Sequence, residues 1–263
     1  MSADKKEAGK KKLPKQFEEP VRADLIKKAV EAVQANRRQP YGAYPEAGKR
    51  PSAKISRRRH DYRGAYGYGI SRVPRKIMSR RGTRMNWTGA FAPGTVGGRR
   101  AHPPKAEKQW GKKINKKERR KSIRSAIAAT LSPELAKARG HMVPEGYPFL
   151  VESRIEETGK AKDAKKAMLG LGLKDELARA SKRTVRAGRG KSRGRKYQTR
   201  KGPLFVVSGE CNLLKSCRSI PGVDVVGVKK INAELLAPGA HIGRLTFFTE
   251  KAVDLMEKEN LFM

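Results

Sequence analysis

Acidic side chains are scarce in this chain: 25 Asp and Glu stand against 62 Lys and Arg in 263 residues, a formal net charge of +37. An imbalance of that size excludes cationic ligands as the main partners and points to polyanions. Cysteine is nearly absent, with only Cys211 and Cys217, so no disulfide framework organises the fold and a reducing compartment is expected. In a helix these two thiols would project about 240° apart, which suits core packing rather than a shared metal. Histidine occurs only at 60, 102, 141 and 241 and nowhere clusters with Cys or carboxylates at metal-ligand spacing. No run of about 18 apolar residues offers a membrane span and no signal peptide precedes the first helical pattern. A cytoplasmic protein without a membrane partner is therefore expected.

The signatures of nucleotide-using enzymes are missing too. Gly190, Lys191 and Ser192 look like the end of a phosphate loop, but the earlier glycine would fall at Val185 and no strand precedes it. Gly170 and Gly172 give GxG, yet the third glycine position holds Asp175. No nucleophile elbow and no HExxH occur. Catalytic residues, metal ligands and cofactors are all expected to be none, and any structural Mg2+ would belong to a bound RNA.

What the chain has instead is localised positive charge. Residues 50–121 carry 23 Lys and Arg against three acidic side chains, with nine Gly, five Pro and no apolar periodicity. A stretch without a hydrophobic face buries too little to offset its backbone entropy, so it is expected to lack regular structure until a polyanion orders it. A second run, 182–201, has ten basic residues in twenty and no acidic one. Between them the two runs hold +30 of the net +37. Their Gly and Pro content excludes long membrane-surface helices, and Arg suits phosphate contact and base stacking. A solvated, self-repelling tail is the bland alternative.

Within the first run, Arg57, Arg58, Arg59, Arg63, Tyr66 and Tyr68 interleave cations with aromatics, as phosphate contact combined with base stacking requires. Arg72, Arg75, Lys76, Arg80, Arg81 and Arg84 continue the track. The glycines at 94–98, including Gly97 and Gly98 beside Thr95, are expected to form the tip of an excursion. Arg99, Arg100, Lys112 and Lys113 line its return. In the second run Arg186, Arg189, Lys191, Arg193, Arg195, Lys196 and Arg200 are the candidate RNA contacts.

The rest of the chain is patterned for a core. Residues 1–12 read as a mobile Lys-rich tail, and Ile26, Ala29, Val30 and Val33 mark a first helix over 21–36. After the excursion Ile123, Ala126, Ile127, Thr130 and Leu131 share a helical face, with Ser132 and Pro133 restarting the helix and Gly140 closing it. Apolar runs at 147–151, 203–207, 223–228 and 245–248 read as buried strands, alternating with helical patterns at 160–182, 210–218, 231–236 and 250–258. The expected fold is α/β: a three-layer α/β/α domain with a mostly parallel four-stranded sheet, plus a long extended basic loop without regular structure. Its parts are a globular domain over 13–49 and 116–263, a loop over 50–115 inserted in it, and a basic insertion at 182–201.

The segments SRVPRKIMSRRGTR, GTVGGRRAHPP, RSAIAATL with its following ARGH, RAGRGKSRGRKYQTRKGPLFVV and LLAPGAHIGRLTFFTE resemble large-subunit ribosomal protein four in its archaeal and eukaryotic form, from Leu13 onward. The resemblance implies a solvent-side α/β/α domain and a loop at about 50–115 that penetrates ribosomal RNA. It implies a tip between Arg80 and Arg100 facing the peptide exit tunnel, with Arg80, Arg81, Arg84, Thr95, Gly97 and Gly98 as its residues. Partners would be large-subunit ribosomal RNA, neighbouring large-subunit proteins and the nascent peptide, with no homo-oligomer. Two departures stand out: only KLPKQF precedes Pro20 where the family has a strand, and the long C-terminal extension of eukaryotic members is missing, so an archaeal source is expected. The expected role is structural, in ribosomal RNA binding, subunit assembly and tunnel lining. The rivals are a dissociable RNA chaperone or assembly factor, and an RNA-modifying enzyme on the α/β sheet.

Overall fold

The computed structural model describes Gly9 and residues 11–263. Most of the Lys-rich start read as a mobile tail, residues 1–8 and 10, lies outside the described residues. The chain forms two compact units, one made of the chain up to Arg37 together with Gly111–Met263, the other of Arg38–Trp110.

Along the chain, a 3-10 turn at Lys15–Phe17 leads to α1 (Ala23–Arg37). The second unit holds β1 (Arg75–Arg81) and β2 (Arg84–Gly89). The first unit resumes with α2 (Lys116–Thr130), α3 (Pro133–Ala138), α4 (Ala161–Gly170), α5 (Lys174–Ser181), β3 (Arg183–Val185) and β4 (Tyr197–Thr199). It ends with β5 (Leu204–Val207), α6 (Asn212–Ser216), β6 (Asp224–Gly227), α7 (Ala233–Leu236), β7 (Thr246–Phe248) and α8 (Glu250–Lys258). Among the described residues no helix is long and apolar enough to cross a membrane.

The core of the first unit is built on a parallel sheet of order β6-β5-β7, with Leu204 opposite both Asp224 and Thr246. All four residues of β5 are buried, which explains why it reads as an uninterrupted apolar run. Its side chains alternate between two clusters. Leu204 and Val206 join Ile26, Val30, Ile123, Ile127, Phe248 and Met256, whereas Phe205 and Val207 join Met168, Leu171, Leu173, Leu213 and Phe247. Phe17 of the 3-10 turn packs edge-on against Phe248, with ring centroids 5.1 Å apart. Among the described residues no strand precedes α1, which the 3-10 turn introduces instead.

Helix starts follow their capping residues. Ser132 Oγ accepts from the Leu135 amide with Pro133 in the first turn, Asn232 Oδ1 accepts from Leu235, and Thr249 Oγ1 accepts from Ala252. Gly140 follows α3 at φ +89°, the left-handed conformation that closes a helix. The helical pattern read over 160–182 is two helices, broken at Leu171–Leu173 around Gly172 at φ +81°.

Two expectations need correction. The sheet has three strands, because residues 147–151 form no strand: Pro148 has no N–H for a ladder, and only Val151 pairs, donating to Phe248 and accepting from Glu250. The loop expected to lack regular structure contains an antiparallel hairpin, β1 with β2, from Arg75 opposite Gly89 to Arg81 opposite Arg84. Met85, Trp87 and Gly89 turn to its less exposed face, a period of two that a search for a helical stripe overlooks. The basic run at 182–201 forms a second small hairpin, β3 with β4.

Candidate nucleic-acid interface

The hairpin of the second unit turns at Gly82 and Thr83. Gly82 takes φ +57°, the left-handed geometry that a two-residue hairpin turn demands at its first central position. The Arg80 Nε donates to the Gly82 carbonyl at 3.1 Å. Arg80, Arg81 and Arg84 are thereby gathered at the turn and exposed. Lower on the hairpin, a shift of register between Ile77 and Ser79 leaves Met78 as a bulge, with 62% of its surface exposed.

The glycines of 94–98 do not make the turn of this hairpin, which lies at Gly82; Thr95, Gly97 and Gly98 belong to a separate closed loop. Arg99 N–H donates to the Phe91 carbonyl at 3.3 Å, Thr95 Oγ1 to Ala92 at 2.8 Å, and Gly98 N–H to Thr95 at 3.0 Å. A Cβ on Gly98 would lie 2.2 Å from the Ala92 oxygen, and one on Gly48 would lie 2.4 Å from the Arg99 nitrogen. Glycine is needed at both positions by close approach. Within this loop Val96 is almost wholly exposed, and Thr95 packs beside Gly89 at the open end of the hairpin.

Aromatic rings hold many of the guanidinium groups. Arg72 lies 5.3 Å from the Tyr66 ring, Arg75 lies 5.7 Å from Trp87, and Tyr62 is flanked by Arg80 at 5.2 Å and Arg63 at 5.9 Å. These pairings orient the cations without neutralising them. Among the described residues, the only ion pair within Arg38–Trp110 joins Arg50 to Glu46, at 4.0 Å. Arg57, Arg58, Arg59, Tyr66, Tyr68, Arg72 and Arg100 are exposed, while Arg63, Arg75, Lys76 and Arg99 are partly covered.

Of the remaining candidates, Lys112 and Lys113 lie outside this unit. They stand exposed ahead of α2, where Lys112 pairs with Glu31 at 3.1 Å. The sequence reading missed Arg38, Tyr41, Lys108 and Trp110. Tyr41 and Trp110 lie 4.6 Å apart by ring centroid, and Arg38 is 5.0 Å and 4.5 Å from them. The segments that carry them flank the whole excursion, so no local pattern joins them.

The β3 and β4 hairpin is closed by Arg186 N–H donating to the Lys196 carbonyl at 2.8 Å, and by a 3-10 turn at Arg189–Arg193 between Gly188 and Gly194, both at positive φ. Arg189, Lys191, Arg193, Arg195, Lys196 and Arg200 are exposed. Among the described residues none of residues 182–200 has an acidic partner within 4.0 Å. Tyr197 sits between Arg183 at 5.4 Å and Lys196 at 5.5 Å.

A buried ionic network fastens the root of this hairpin. Arg179 reaches Glu176 at 2.8 and 2.6 Å and donates to the Lys201 carbonyl at 2.8 Å. Glu176 also takes His141 Nδ1 at 2.7 Å and the Met142 amide at 3.0 Å. Burial works to raise the Glu176 carboxyl, but these donors outweigh it and hold the group below its ordinary value. Burial lowers His141, only partly opposed by Glu176. The fully buried Arg244 donates to the Gly202 carbonyl at 3.0 Å and to Asp224 at 2.6 Å. Arg139 is brought down to about 10 by burial and by repulsion from Arg244 and Arg179.

Cys211 and Cys217 flank α6 as free thiols, and burial pushes Cys217 up to about 11. Among the described residues no group of three His, Cys, Asp or Glu could hold a metal. Of the four histidines, only His141 meets a carboxylate among the described residues.

Comparison with known proteins agrees with this cation-rich, acid-poor surface. The family model of the Ribosomal protein L4/L1 family matches residues 11–259. Among curated relatives, a protein of Nanoarchaeum equitans named large ribosomal subunit protein uL4 is 48% identical over 97% of this chain and 96% of its own length. Proteins of the same name from Methanococcoides burtonii and Archaeoglobus fulgidus are 47% and 43% identical, each over 93% of this chain and 91% of their own. With both hairpins, the helices and the sheet inside the matched span, the chain belongs to the Ribosomal protein L4/L1 family.

Proposed function

We propose that this chain is a structural component of the archaeal large ribosomal subunit, in the cytoplasm, that binds large-subunit ribosomal RNA and has no chemistry of its own. One observation carries the reading: both hairpins present exposed basic side chains, oriented by aromatic rings or backbone, that among the described residues have no acidic partner within 4.0 Å. Cations arranged in this way are completed by phosphates, and releasing the counterions of the RNA supplies the binding energy. Specificity comes from the shape of folded RNA more than from base edges.

The division of labour follows from the two units. The first, which we read as α/β/α layers because β5 shares its side chains between two helix-bearing clusters, anchors the chain. The second is the RNA-penetrating excursion, and β3 with β4 adds another RNA contact. Arg80, Arg81 and Arg84 at the hairpin turn, with Thr95, Gly97 and Gly98 in the neighbouring loop, face the peptide exit tunnel and the nascent peptide. Neighbouring subunit proteins complete the partners.

Sedimentation of a cell lysate through a high-salt sucrose gradient, with the protein quantified across fractions, tests this reading. A stoichiometric amount in mature large subunits is the expected result. Confinement to light precursor particles would favour a dissociable assembly factor instead.

A further inference from the structure

We propose that Tyr41 and Trp110, flanked by Arg38 and Lys108, form a platform on which one unpaired base of RNA stacks, a contact separate from the hairpin turn. This rests on the reading that the chain binds ribosomal RNA.

The site is built rather than incidental. The segments that carry the two rings are tied together by the Ala43 N–H donating to the Pro104 carbonyl at 2.8 Å, and they approach so closely that a Cβ on Gly42 would lie 2.5 Å from the Ala106 nitrogen. Trp110 Nε1 donates to the Ala106 carbonyl at 3.3 Å, so the indole's one polar atom is engaged within the unit. Trp110 is partly covered, and Tyr41 carries the more open ring. The rings are tilted by 32° rather than crossed edge to face, and Arg38 Nη2 donates to the Tyr41 hydroxyl at 3.2 Å.

A packing role alone does not account for this geometry. Half of the Tyr41 surface is exposed, and Arg38 and Lys108 are exposed as well. Among the described residues neither cation has an acidic partner within 4.0 Å, although Lys108 Nζ stands 5.4 Å from the Trp110 ring. A half-exposed tyrosine backed by a tryptophan, with two cations over the rings that lack acidic partners, is complementary to a nucleotide: the open side of Tyr41 takes the face of the base and the cations take its phosphates. A duplex hides the faces of its bases, so the ligand is an unpaired nucleotide.

Trp87 and Trp110 are the only tryptophans, so Trp87→Phe, which keeps a ring for Arg75, leaves Trp110 as the sole indole reporter. The full chain carrying that change is titrated with a short labelled oligoadenylate and, separately, with a labelled RNA duplex, following label anisotropy for binding and Trp110 emission for stacking. The expected result is quenching by the single strand and little by the duplex. Adding Tyr41→Leu should weaken single-strand binding about tenfold without altering its salt dependence, because no charge is lost. Tyr41→Phe should restore it, which a role confined to the hydroxyl would not allow. Binding of both RNAs with Trp110 emission unchanged, or quenched equally, overturns the platform and leaves RNA binding standing. No anisotropy change with either RNA at low salt overturns both.

Discussion

Glu176 and Arg179, one turn apart on α5, form a two-pronged ion pair at 2.8 and 2.6 Å in which the carboxylate is wholly enclosed. Removing the cation strands a buried charge and also releases the Lys201 carbonyl at the root of the second basic hairpin. Arg179→Met should therefore destabilise the protein by about 3–5 kcal/mol. Urea unfolding followed by circular dichroism measures it, and a loss below about 1 kcal/mol would mean that His141 and the Met142 amide suffice to hold the buried carboxylate.

The same network sets a pH dependence. His141, Glu176 and Asp224 all have folded values below their ordinary ones of 6.5, 4.5 and 3.8. For Asp224, burial works to raise the value and is outweighed by Arg244 and Lys201. A group with a depressed folded value stabilises fully above its unfolded value and loses that contribution as pH falls through the folded one. Stability should decline in two stages on acidification, the first beginning near pH 6.5 and the second below about pH 4.5. His141→Asn should remove the first stage alone, as thermal melts between pH 4 and pH 8 would reveal.

Gly98→Ala would drive its Cβ to 2.2 Å from the Ala92 oxygen and open the 91–99 loop. Trypsin cleavage after Arg99 and Arg100 should accelerate about tenfold, while the main thermal transition stays in place. Unchanged cleavage would mean that the loop relaxes without opening.

Replacing Arg80, Arg81 and Arg84 together with Gln should make the plot of log affinity against log salt shallower by about 2–3, because three phosphate contacts are lost. The chain should keep its melting temperature, since these side chains are exposed at a turn. A drop in melting temperature would show that the turn contributes to folding.

Much of this architecture was legible in the sequence because core helices and strands advertise their periodicity. Ile26, Val30, Ile123 and Ile127 carry the 3.6-residue spacing, and the unbroken run of β5 announces burial on both faces. Cationic runs likewise mark the candidate interface by composition. What stayed hidden depends on backbone geometry and on distance along the chain. Pro148 disqualifies an apolar run as a strand, and the hairpin at 75–89 is encoded by an alternation of exposure too short and too polar to stand out. The pairing of Tyr41 with Trp110 is a tertiary contact that no local window contains. The turn was misplaced because Gly94, Gly97 and Gly98 outnumber the single Gly82 that makes it.

The closing pair of the first hairpin sets Arg81 directly across from Arg84. Like charges opposite one another push strands apart, so this arm carries an internal repulsion that works against its own closure. Polyanions and simple salt both relieve it, yet salt also competes for the phosphates. On the proposed reading, ionic strength would act on the arm in two opposed senses, bracing its shape while weakening its hold on phosphates. The backbone ladder from Arg75 to Arg81 keeps the arm closed against that repulsion, so an anionic partner would tighten a hairpin that is already formed.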